Sequence, residues 1–208
     1  MTAAPATRRD RKRAEIIAIA KELFFKEGYA GASMAQIAAR VGGSKATLYS
    51  HFPSKEDLLL AVVQDLVVPA DARALEWGAP GDDFRAWLHR LGNRTVRRLT
   101  SYEFISILRL AAAEALRFPQ VGKIYYEAGA EPFLNLVSTF FAEAMDKGVL
   151  RRADPRIAAE QFFEMCAGWL MRRALWNIAS PTEAEIETKV SAAVAAFMEG
   201  YEPRGRGK

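Results

Sequence analysis

Apolar residues recur at helical spacing along almost the whole chain. Ile16, Ile17, Ala20, Leu23 and Phe24 stand three and four apart, which predicts a helix from about Asp10 to Glu27 that ends at Gly28. Ile37, Ala38 and Val41 make a second, shorter stripe. Ser33 stands where its N-cap belongs, and Gln36 three residues on completes a capping box. Gly42 and Gly43 end that helix, since glycine enters the left-handed conformation at little cost. Ser44 caps a third helix, in which Leu48 and Phe52 face inward while Lys45, Ala46, Thr47 and Tyr49 point elsewhere. Two short helices joined by a tight turn form the pattern of a helix-turn-helix, whose second helix lies in a DNA major groove.

Beyond Pro53 the pattern stays helical. Ser54 caps a fourth helix with Asp57 at the third following position, and Leu58, Leu59, Val62, Val63 and Leu66 give it a broad apolar face. Pro69 is expected to break or kink it, and Gly78-Ala79-Pro80-Gly81 is a clear breaker. Helices then follow near 82–100, 102–117, 120–129, 131–147, 155–178 and 183–200, with no alternating strand pattern. Asp154 and Thr182 are expected N-caps, with Pro155 at the favoured first helical position.

The stretch Ser33–Phe52 resembles the DNA-binding motif of the TetR family of bacterial transcriptional regulators. The matching residues are Ile37-Ala38, Gly42, Ser44, Leu48-Tyr49, Phe52 and Ser54-Lys55-Glu56-Asp57-Leu58, and upstream Ile17, Ala20, Leu23, Phe24, Gly28, Tyr29 and Ser33. The likeness covers roughly the first third of the chain, and Gly43 departs from it, where the family usually has valine. The resemblance implies an all-α fold: a three-helix helix-turn-helix head on a C-terminal helical bundle, about nine to ten helices, and a homodimer through a four-helix bundle. The expected division is a disordered arm at 1–8, the DNA-binding domain at 9–53 and a connecting helix at 54–77. A ligand-binding and dimerisation domain at 82–200 and a disordered tail at 201–208 complete it. The tilt of the connecting helix would set the position of the head.

Charge agrees with that division. Residues 1–60 hold ten Lys and Arg against six Asp and Glu, whereas the rest of the 208-residue chain is balanced, so the net +4 lies with the head. Arg8–Arg13 forms a basic arm that reads either as a solvated helix start or as phosphate contacts. Within the motif, Lys45 and Thr47 are expected to reach base edges, and Ala46 to lie against a thymine methyl. Ser33, Tyr49 and Lys55 would hold phosphates, Ser44 caps the reading helix, and His51 lies on it within reach of a phosphate or base.

The body offers two further patterns. Ala158–Trp176 is apolar nearly all round, and the last helix spaces Ile186, Val190, Val194 and Phe197 with small alanines. Both suit a four-helix bundle made by two chains, with Phe163, Leu170, Ala174, Val190, Val194 and Phe197 at the interface; the alternative is that they lie inside a monomer core. The second pattern is an aromatic supply between residues 84 and 141. Core packing accounts for most of it. The family resemblance implies that some of these residues line a cavity for a small hydrophobic effector. Candidates are Trp87, Phe104, Leu108, Arg109, Ala112 and Tyr126, joined by Phe162, Met165 and Trp169. Arg109 and Glu114 interrupt an apolar helix and are free to orient a polar group there, to pair, or to face water.

Other chemistry is missing. Two histidines, His51 and His89, and one cysteine, Cys166, cannot assemble a metal site of the usual kind, and no phosphate loop or nucleophile motif is present. Neither enzyme activity nor a cofactor is therefore expected. The lone cysteine fits a reducing cytoplasm. No apolar stretch follows Arg8 and Arg9 as in a signal peptide, and the longest apolar run, Leu58–Val63, is far short of the ~20 residues that span a bilayer. The expected protein is thus a cytoplasmic dimeric regulator with three partners: a palindromic duplex operator, a second copy of itself and a small hydrophobic effector. Repression is the mode the resemblance implies. The rival readings are a ligand-independent architectural DNA-binding protein and a small-molecule enzyme on a helical bundle.

Overall fold

Thr7 decides where the first helix begins. Its hydroxyl accepts the Asp10 N–H at 3.1 Å while the Asp10 carboxylate accepts the Thr7 N–H at 3.0 Å, a reciprocal cap that starts α1 (Arg8–Gly31) two residues before the expected Asp10. In this computed structural model, residues 7–42, 44–67 and 83–203 are described; Pro69, the 78–81 breaker, Gly43, residues 1–6 and the tail from 204 lie outside them. Nine more α-helices follow among the described residues. The first three are α2 (Met34–Val41), α3 (Lys45–His51) and α4 (Lys55–Val67), then α5 (Phe84–Leu99), α6 (Tyr102–Glu114) and α7 (Pro119–Tyr125). A π-helical turn at Tyr126–Ala130 leads into α8 (Glu131–Asp146), α9 (Pro155–Leu175) and α10 (Glu183–Tyr201). No strand occurs among the described residues, so the all-α reading holds. No helix among them is long and apolar enough to cross a membrane.

Packing divides the chain differently from its linear order. One compact unit comprises residues 1–68 and 106–128, and the other 69–105 and 129–208. The connecting helix α4 and the second half of α6 therefore belong with the head. The reason is apolar spacing: Ile107, Leu110 and Ala111, with Val121 of α7, join one buried cluster with Ile16, Phe24, Leu48, Leu58 and Val62.

The second unit is built on aromatic side chains. Trp87 of α5, Phe141 of α8, Phe162 of α9 and Phe197 of α10 are almost fully buried. Phe162 meets Phe141 edge-on at 6.2 Å and Phe197 at 5.3 Å, a geometry that sets the positive ring edge against the negative face. Gly92 lets α5 approach closely, since a Cβ there would stand 2.7 Å from Val190 Cγ1 and 3.3 Å from Cys166 Sγ. Burial pushes the Cys166 thiol up to about 12, so it is an inert core group.

All six residues expected at the dimer interface, Phe163, Leu170, Ala174, Val190, Val194 and Phe197, are buried within the single chain. They are core residues of the second unit, the alternative that helical periodicity left open. Periodicity marks a face as covered and does not say by what. The bulky apolar side chains that α9 and its C-cap leave open include Ile157, Trp169 and Trp176.

Thr182 caps α10, and Glu185 closes the box; the Arg173 guanidinium lies 2.7 Å from Glu185 and, with the Thr182 backbone and hydroxyl, holds that carboxyl down at about 2, from an ordinary 4.5. A carboxyl depressed in the folded state adds stability above about 4.5 and loses it as pH falls towards about 2. Glu185→Ala should therefore melt below wild type at pH 7, and thermal melts should show the gap closing across that window. A gap independent of pH would mean that the carboxylate charge contributes nothing.

Candidate nucleic-acid interface

The reading surface is held from both ends by hydrogen bonds to backbone. Ser33 caps α2, accepting the Gln36 N–H at 3.2 Å, while its own N–H donates to Gln36 Oε1 at 2.7 Å. Gly42 closes α2 in the left-handed conformation, φ 67°, as its position in the motif requires. Ser44 caps α3 by accepting the Thr47 N–H at 3.1 Å, and the two hydroxyls lie 3.0 Å apart. The Ser33 and Ser44 hydroxyls are thus committed to capping. Leu48 and Phe52 are buried under α3, and this turns Lys45, Ala46, Tyr49 and Ser50 outward.

The basic arm joins this surface. Arg8, Arg9 and Arg11 line an open cleft of about 710 Å³ together with Lys12, Glu15, Thr47 and His51. The structure therefore gathers two expected contact residues of α3, Thr47 and His51, with three exposed arginines of α1. Such a concave basic surface matches duplex phosphates, and Arg supplies the planar donors that grip them.

Two cations of the arm do something else. Lys12 Nζ donates to the Val41 carbonyl at 3.0 Å and pairs with Glu15, so it satisfies the C-terminal end of α2. The Arg13 guanidinium lies 5.1 Å above the Phe52 ring. The sequence carried this signal: Lys12 and Arg13 stand one turn before the buried Ile16 and Ile17, so their long stems start beside the inward face of α1, with Lys12 half-buried and Arg13 exposed. Lys55 also has an inward contact, its Nζ 4.3 Å from the centroid of the Tyr29 ring.

The expected effector residues do not gather in one unit. Phe104 and Met165 are half-buried in the second, Trp87 and Phe162 are packed in its core, and Trp169 is exposed. Leu108 and Arg109 are half-buried in the first unit, while Ala112 and Tyr126 are exposed there. Among the described residues no group of acids, histidines and cysteines could hold a metal ion.

Comparison with known proteins places these features. Residues 16–62 match the family described as bacterial regulatory proteins, tetR family, and residues 86–203 match the AefR-like transcriptional repressor C-terminal domain. A TetR-family transcriptional regulator from Mesorhizobium loti is 31% identical, with TM-score 0.83 over 95% of this chain and 100% of that one. The flavonoid-responsive regulator FrrA is 30% identical, with TM-score 0.75 over 94% and 99%. The transcriptional activator FasR of Mycolicibacterium smegmatis is 48% identical over 56 residues, 27% of this chain and 26% of that one.

The cleft and the outer face of α3 call for two separable kinds of contact. Arg9→Ala should weaken binding to every duplex alike and lower the salt slope by about one. Thr47→Ala should cost about 1–3 kcal/mol, chiefly on a duplex selected by the protein from random DNA. Fluorescence anisotropy across a salt series measures both, and equal losses on selected and scrambled duplexes for both variants would refute the division.

Proposed function

Because this chain belongs to the TetR family of bacterial transcriptional regulators, we propose that it is a ligand-responsive repressor that binds a palindromic operator as a homodimer and is released by a small hydrophobic molecule. The carrying observation is the cleft that brings Arg8, Arg9 and Arg11 beside Thr47 and His51 of an outward-facing reading helix. Repression is favoured over activation by the match of the body to a repressor domain across 86–203. The activator relative matches over 56 residues only, and a DNA reader is common to both modes.

The dimer follows from what the second unit leaves exposed. Trp169 and Trp176 are 57% and 60% exposed, and their rings stand 6.3 Å apart at 88°. Two open tryptophans two turns apart form an anchor for a partner helix, since such rings dominate interface energies. The outer face of α10 carries Ala192, Ala195 and Ala196, which allow close approach. A second copy seated there on α9 and α10 gives the two-fold symmetry that a palindromic operator needs. Its heads would have to stand one DNA turn apart, ~34–36 Å. Trp169→Glu should convert dimers to monomers in sedimentation and abolish cooperative operator binding. A wild-type protein that stays monomeric at micromolar concentration would overturn the dimer.

The effector is expected to be apolar and aromatic in kind, in keeping with the aromatic composition of the second unit and with a similar regulator named for its response to flavonoids. It acts only if it binds the DNA-incompetent state better, and a typical coupling of ~1–3 kcal/mol weakens operator binding several-fold to about a hundredfold. Thermal-shift screening of hydrophobic compounds, followed by operator titration with each stabilising hit, tests this. If every such compound leaves operator affinity unchanged, the body is a dimerisation scaffold.

A further inference from the structure

The link between the reading helix α3 and α4 is pinned to α1 at two places. Near the start of α1, the Arg13 guanidinium lies 5.1 Å above the ring of Phe52, the last residue before the link. Near its end, the ring of Tyr29 carries the ammonium of Lys55, the first residue of α4, at 4.3 Å. Gly28 is what turns Tyr29 inward: its φ of 72° and ψ of 166° kink α1 one residue earlier. Tyr29 is then buried, with Phe24 at 5.6 Å and the edge of Phe118 at 5.4 Å.

We propose that Arg13–Phe52 and Lys55–Tyr29 are paired cation–π clasps that set the pose of the reading helix, which makes Arg13 and Lys55 positioning residues and not phosphate contacts. The inference rests on the DNA-reading function above. A lysine placed for a phosphate would keep its ammonium in water, whereas burial pulls the Lys55 pKa below its ordinary value, with Glu56 and Glu114 acting against that and Arg117 with it. What Tyr29 offers the Lys55 ammonium is the face of its ring.

The test uses the full chain, a duplex selected by the protein from random DNA and a scrambled duplex of equal length. Lys55→Met and Arg13→Met keep the aliphatic stem and drop the charge. Each should weaken binding to the selected duplex several-fold, with scrambled binding and salt slope unchanged. Lys55→Arg should restore affinity, because guanidinium also stacks on rings. The double variant Lys55→Met with Tyr29→Leu should be no weaker than the weaker single one. A salt slope lowered by about one in Lys55→Met, with equal loss on both duplexes, would make Lys55 a phosphate contact and overturn the proposal. Unchanged affinity in both Met variants would overturn it as well. An NMR readout needs no DNA: the Lys55 methylene protons should be shifted upfield by the Tyr29 ring and should lose that shift in Tyr29→Leu. Its absence in wild type ends the clasp, whereas a wild type without duplex preference ends the DNA-reading function and leaves the clasp standing.

Discussion

A helix of seven residues has little structure of its own in water, because its few hydrogen bonds do not offset the cost of nucleation. The reading helix α3 is of that length, and it carries Lys45, Thr47 and Tyr49, the expected DNA contacts. Everything around it supplies what it lacks. Ser44 satisfies its first turn, Leu48 and Phe52 fix its buried face, and Arg13 covers the ring of Phe52. The α2 helix is hardly longer, and Lys12 of α1 closes its open carbonyl end. The long α1 thus carries two short helices through contacts that reach backbone and rings. Exposed ion pairs contribute little beside them: Arg40–Glu22 at 3.9 Å is of the surface kind, worth on the order of 0–1 kcal/mol.

The second unit solves a different problem. Four of its helices, α5, α8, α9 and α10, share one aromatic core, and the glycine at position 92 removes the side chain that would hold α5 away from α9 and α10. Ion pairs at its periphery fix register where packing alone would not. Arg156 near the start of α9 holds Glu131 of α8 through both carboxylate oxygens, at 3.0 and 2.9 Å, and reaches Glu160 one turn on at 2.7 Å. A planar fork of this kind gives direction as well as attraction. One chain packs this core by itself, which leaves the surface of α9 and α10, and not their buried stripes, for the proposed dimer.

That distinction marks how far the sequence could be read. Caps and terminators were legible: Ser33 with Gln36, Gly42, Ser44, Asp154 and Thr182 all cap where their chemistry places them. Each depends on residues within four positions, which a sequence displays directly. The head was legible because its buried positions are local. What could not be read depends on distant partners. Ile107 and Leu110 show the same spacing whether they pack on the body or, as they do, with the head. Phe163 and Leu170 show that a stripe is buried, and only the fold says that the chain itself covers it. Lys55 occupies its motif position, but a four-carbon stem reaches water or a neighbouring ring equally well, and only the fold places its ammonium over the Tyr29 ring.

The course of the chain bears on how a signal could reach the reader. A single connecting helix after Ser54 was the expected link. Among the described residues the division between the two units also falls within α6 at 105–106 and at 128–129 inside the π-helical turn. Both of these run through hydrogen-bonded helix. A π turn trades good hydrogen-bond geometry for an extra residue, and such turns recur at functional positions because the added residue can be gained or lost at small cost. Coupling requires an element with two discrete arrangements whose balance both sites can bias. The turn at Tyr126–Ala130 lies at one such division, whereas α4 is packed into the head's own core by Leu58, Leu59 and Val62.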